Sequence, residues 1–134
     1  MIDSVLVLGS GTMALDIGCW YIGQGLSVWW ATDNDERREQ IERKAGRAAK
    51  RLARTAPDAA GRVQWGALPL KRAHLSRAGL IIECSHEDVA HKRGLLEQVV
   101  PMIPDGAVVV SNSSSIPPGR LHPRGLGLHF FYPV

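Results

Sequence analysis

The sequence predicts an α/β fold in which a mostly parallel sheet carries helices on both faces. Three observations lead there. Val5-Leu6-Val7-Leu8 and Leu80-Ile81-Ile82 are short, unbroken apolar runs, the pattern of strands covered on both sides. The segments between such runs are long enough for helices. Strand-like and helix-like segments alternate along the chain, with no internal repeat or low-complexity stretch.

The first strand, residues 5–8, ends at Gly9. Residues 12–23 carry apolar side chains all round (Met13, Leu15, Ile17, Trp20, Tyr21), as expected of a helix packed on a sheet. Residues 26–31 form the second strand. Trp29 and Trp30, adjacent on it, point to opposite faces and are both read as packing residues. A long charged helix runs from 35 to about 54, capped by Asn34 or Asp35. Residues 55–61 read as a turn-like link, 63–65 as a weak third strand and 80–83 as a strong fourth. A helix from about 87 to 100 leads to strands at 107–110 and 126–130. Pro117, Pro118 and Pro123 make residues 117–124 a loop, because proline donates no backbone hydrogen bond.

At 134 residues, 45% apolar and 22% charged, the chain is expected to be one domain, residues 1–134, with an ordinary core. Disordered, coiled-coil and collagen-like classes are excluded. No apolar run is long enough to span a bilayer, so no membrane partner is expected. Asp3 stands where a signal peptide would be positive. Cys19 and Cys84 have no zinc-like spacing, so no metal site is expected and a reduced, cytoplasmic setting is the default. The net charge of +3 is compatible with anionic ligands. Residues 37–54 hold eight Lys or Arg against two acids, but without interleaved aromatics. They read as a solvated helix face, and no nucleic-acid partner is expected.

Gly9-Ser10-Gly11-Thr12-Met13-Ala14 follows the first strand directly and opens the first helix, the context that gives a GxGxxG-type match its meaning. Gly9 permits the tight turn and Gly11 lets backbone approach a pyrophosphate. The helix start at Thr12 and Met13 offers free N–H groups to the anion. This is the pattern of a Rossmann-like, doubly wound dinucleotide domain. Asp33 lies where an acid at the end of the second strand would accept hydrogen bonds from the adenine ribose. Such a carboxylate favours NAD. Arg37 and Arg38 nearby keep NADP as the less favoured alternative. A ligand-free glycine turn, with Asp33 merely entering the helix, is the bland reading of the same residues.

Four stretches together resemble the NAD-binding domain of the L-3-hydroxyacyl-CoA dehydrogenase family. They are VLGSGTMA at 7–14, IIECSHEDVAHK at 81–92, SNSSSIP at 111–117 and GLHFFYPV at 127–134. The family carries IEAxxEdxxxK, SNTSS and GLHFFNPV at the last three. The resemblance implies that Glu87 and Lys92 lie near the nicotinamide-side ribose, and that Ser111 contacts cofactor and substrate oxygen with Asn112 supporting its turn. It implies that His129 is the catalytic base toward a 3-hydroxyl, a role suited to a group that titrates near neutrality. His74, His86, His91 and His122 are read as surface residues.

The implied activity is hydride transfer between NAD(H) and a 3-hydroxyacyl or 3-oxoacyl thioester carried on CoA or an acyl-carrier protein. The alternative is a non-catalytic dinucleotide-binding module or partner subunit. Family members orient the histidine with a later glutamate and continue into a helical second domain, whereas this sequence ends five residues after His129. A separate chain supplying that domain, or a homodimer burying the Phe130-Phe131-Tyr132 end, is therefore expected. Tyr132 replaces a family asparagine, residues 55–61 replace a longer helical excursion, and Asp16 is an unexpected acid near the phosphate-binding end of the first helix.

Overall fold

The computed structural model describes residues 1–72, 78–131 and 134. His74 and Tyr132 lie outside the described residues. Six strands form one parallel sheet: β1 Ser4–Leu8, β2 Ser27–Ala31, β3 Trp65–Leu68, β4 Leu80–Glu83, β5 Val108–Ser111 and β6 Gly125–Gly127. Their order is β3-β2-β1-β4-β5-β6. Chain direction across the sheet reverses between β1 and β4, and the carboxyl ends of these two strands therefore open a crevice.

Among the described residues four α-helices accompany the sheet: α1 Thr12–Gly23, α2 Asp35–Thr55, α3 Pro57–Ala60 and α4 Val89–Val99. The alternation of side chains along each strand divides the core. Val5 and Val7 face α1 and α2, against Ile17, Ile22, Ile41 and Leu52. Leu6 and Leu8 face the other way, against Leu96 and Val99 of α4. Trp30 is fully buried on the α1 side, and its indole Nε1 donates to the Ala14 carbonyl at 2.8 Å. Trp29 packs on the opposite face, so both tryptophans are packing residues.

Gly18 gives Trp30 its place: a Cβ there would lie 2.0 Å from the indole ring. Gly18→Ala is expected to destabilise by about 1–3 kcal/mol, the usual range for overpacking, as read by urea denaturation. An unchanged midpoint would show that the indole has room to shift.

The structure differs from expectation in several places. The third strand starts at Trp65 rather than 63, its Gly66 fitting beneath Trp29. The last strand ends at Gly127, because Leu128 makes one final bond to Ser111 and the chain then leaves the sheet. The link at 55–61 contains the short helix α3, with proline at its first position, where no N–H is needed. Asp16 is the fifth residue of α1, away from the helix start that follows the glycine loop, and pairs with Lys44 of α2 at 3.3 Å.

Candidate dinucleotide site

The crevice at the ends of β1, β2 and β4 is a cleft of about 510 Å³. Gly9, Gly11, Thr12, Met13 and Asp33 all line it, so five of the expected binding residues come together. Gly9 adopts φ +123°, and a Cβ on it would meet the Cys84 carbonyl at 2.4 Å. Only glycine takes this turn without strain. Gly11, the residue before α1, faces open space with nothing within 4 Å. That emptiness above a helix start fits the close approach of a phosphate. Thr32 Oγ1 accepts from the Asn34 N–H and donates to Ser10 Oγ at 3.1 Å, which leaves the Ser10 proton for a ligand.

Asp33 is exposed at the far end of the cleft, where its Oδ1 accepts the Leu70 N–H at 3.0 Å. This bond fixes the carboxylate and leaves Oδ2 for a ligand. The neighbouring arginines are engaged elsewhere. Arg37 donates to Gln40 Oε1, while Arg38 donates to the Thr32 carbonyl and pairs with Asp35.

A second group lies deeper, between β4, α4 and β5. Glu83 is fully buried, and Lys92 Nζ reaches its two carboxylate oxygens at 3.0 and 2.9 Å. Lys92 is itself 1% exposed and also donates to the Ser85 carbonyl. Ser111 stands beside Glu83 because the two are register partners on β4 and β5, and its Oγ donates to Glu83 Oε2 at 2.7 Å. Ser85 donates to Oε1 through both its N–H and its hydroxyl. Among the described residues no buried polar side-chain atom of this group lacks a partner, which is the condition for burying a charge pair without a large penalty.

Glu87, exposed in the loop before α4, accepts from the Ser113 and Ser115 hydroxyls. Those bonds, Ser113 foremost, hold its carboxyl below the usual range, with Lys92 3.8 Å away adding to the effect. Asp88 caps α4 by accepting the His91 N–H at 2.7 Å, so the helix starts two residues later than expected. Burial, reinforced by Glu83, pushes the Cys84 thiol up to about 11, so it stays neutral beside the cleft.

His129 is exposed beyond the end of β6 and lies outside the cleft lining. Its neighbours are tied down: the Leu128 N–H donates to the Ser111 carbonyl, and the Phe130 N–H to Asn112 Oδ1 at 2.7 Å. Asn112 thus supports the histidine-bearing segment. His122 accepts the Arg124 N–H through Nδ1.

Residues 4–134 match the sequence pattern described as "3-hydroxyacyl-CoA dehydrogenase, NAD binding domain". The chain belongs to the 3-hydroxyacyl-CoA dehydrogenase family. Solved structures share its fold. FadB2 of M. tuberculosis is 29% identical with a TM-score of 0.78, over 99% of this chain and 50% of that one. The (S)-3-hydroxybutyryl-CoA dehydrogenase PaaH1 of Ralstonia eutropha is 24% identical with a TM-score of 0.78, over 100% of this chain and 51% of that one. The chain thus spans about half the length of these relatives. No curated protein matches the sequence.

As a member of the 3-hydroxyacyl-CoA dehydrogenase family, the chain presents its NAD-binding domain with a sheet order that puts the cleft at the reversal point. Sequence reasoning passed over Glu83, Ser85, His86 and His91. Glu83 reads as the polar end of a strand until β5 is laid beside it. His86 and His91 are exposed, as expected of surface residues, and they also line the cleft.

Proposed function

We propose that this chain binds NAD in the cleft between β1 and β4 and forms the cofactor half of an oxidoreductase acting on a 3-hydroxyacyl or 3-oxoacyl thioester. One dinucleotide domain, residues 1–134, is the unit proposed. The observation that carries the reading is the arrangement of Gly9, the open face at Gly11 and the anchored Asp33 carboxylate along one cleft. Bound there, NAD would accept a hydride in the oxidative direction, and NADH would supply one in the reductive direction. Thr12 and Met13 direct backbone N–H groups toward its phosphates. Glu87 stands beside the turn after Ser111, where it accepts from Ser113 and Ser115, and Lys92 supports the same wall from behind through Glu83.

His129 would take the proton from the substrate 3-hydroxyl at an imidazole nitrogen, and return one to the ketone in reduction. Ser111 gives its own proton to Glu83, so toward the site its Oγ serves as an acceptor. The carrier, CoA or an acyl-carrier protein, would bind beyond the cleft with help from a second domain. Exposed Leu126, at 58%, and Phe131, at 78%, support a docking face for that domain or for a second copy of the chain. A cytoplasmic setting suits the two free cysteines. The second reading, a dinucleotide-binding partner subunit without turnover, draws on the position of His129 outside the cleft lining.

Calorimetric titration tests the cofactor assignment. NADH is expected to bind at least about tenfold more tightly than NADPH, because the 2′-phosphate would meet Asp33 with both arginines engaged elsewhere. Asp33→Ala should narrow that gap. Equal affinity for the two would overturn the assignment to Asp33, and binding of neither would overturn the dehydrogenase reading. Turnover of a 3-oxoacyl thioester, lost in His129→Ala, separates the enzyme from the partner subunit.

A further inference from the structure

Among the described residues lining the cleft, the charges are badly matched to a pyrophosphate. The lining holds no lysine or arginine, and Asp33 contributes a negative charge. The glycine loop and the start of α1 offer only neutral N–H groups and a partial charge. Two lining side chains can become cationic: His86, in the loop after β4, and His91, in the first turn of α4. Their rings sit edge to face with centroids 5.6 Å apart, and both residues are exposed.

We infer that His86 and His91 are phosphate-binding residues, a pair of imidazoles that supplies the cleft's positive charge to the pyrophosphate of a bound dinucleotide. The inference rests on the dinucleotide reading above. Two imidazolium rings this close repel each other in the empty cleft, and an anion near both relieves the repulsion. Binding therefore takes up protons, and affinity rises as the pH falls through the histidine range.

The surrounding charges are compatible with this. Glu87 and Asp88 share the β4–α4 connection with His86, and Asp33 stands on the same cleft at the end of β2. Lys92 is turned inward onto Glu83, while Arg93 follows on α4 and Lys71 follows the cleft-lining Leu70. The nearest acid on α1, Asp16, is paired with Lys44. The phosphate loop itself has no ionisable side chain.

The test is calorimetric titration with NAD and with ADP-ribose from pH 8.5 to 6.0, on the unaltered chain, His86→Gln, His91→Gln and the double variant. Thermal melts confirm that each folds. The unaltered chain should gain about five- to tenfold in affinity for both ligands toward low pH, each exposed pair contributing a few-fold. The double variant should lose most of that gain and each single variant part of it. Adenosine, which has no phosphate, should bind without the pH dependence. Binding that does not vary with pH, or a slope that survives in the double variant or appears with adenosine, would overturn the histidine assignment alone. No binding of NAD or of ADP-ribose at any pH would overturn both readings.

Discussion

Lys92→Met is expected to remove about 3–5 kcal/mol of folding stability, the usual cost of leaving one member of a buried ion pair without the other. Glu83 would keep the Ser85 and Ser111 hydrogen bonds, but these are neutral donors set against a carboxylate with no access to water. A domain of this size has about 5–15 kcal/mol in total, so the variant should unfold at much lower urea. The double variant Glu83→Gln with Lys92→Met removes both charges and should recover much of the loss, since neutral replacement of a whole buried pair is often tolerated. A single variant within about 1 kcal/mol of the parent would mean that water reaches the pair. A double variant as unstable as the single one would place the defect in packing.

Substitutions at two glycines either side of Ser10 should have opposite consequences. Gly9→Ala forces a side chain into φ +123° and against the Cys84 carbonyl, whose peptide unit is held by the bond from the Ser85 N–H to Glu83 Oε1. A cost of roughly 3 kcal/mol in stability is expected, together with loss of dinucleotide binding. Gly11 has φ −69° and an empty surrounding, so Gly11→Ala should change stability by less than about 1 kcal/mol. It should nevertheless weaken NADH binding about tenfold or more, since the new methyl occupies the space the phosphates need. Denaturation and calorimetry on the two variants separate what the turn does for the fold from what it does for the ligand. Unimpaired binding by Gly11→Ala would remove the phosphates from that face.

The local parts of the structure were legible in the sequence, and the parts made by distant segments were not. The bounds of α1 and β4 follow from apolar spacing and from the glycine that ends β1, all within a dozen neighbouring residues. Asn34 was readable as a cap because capping is decided within three residues. The third and sixth strands were misplaced by a few residues because their limits are set elsewhere, by Trp29 above Gly66 and by the last bond of Leu128 to Ser111. The phosphate loop and Asp33 announce themselves through spacing along one βαβ unit. Glu83 does not, because its meaning depends on Lys92 nine positions on and Ser111 twenty-eight positions on. His86 and His91 illustrate the same limit: exposure is a local expectation, and sharing a cleft with the glycine loop is a property of sheet order.

The two hydrogen bonds that hold Leu128 and Phe130 have an entropic consequence for the residue between them. A histidine on a free tail would have to surrender the rotations of several backbone bonds each time it met a substrate. Here Ser111 and Asn112 anchor the backbone on either side, and Phe130 is further held among Trp20 and Tyr21. The ordering of that segment is completed when the chain folds, and what is left for His129 is the turning of its own ring about two side-chain torsions. Pre-organisation of this kind leaves more of the binding energy for the ligand.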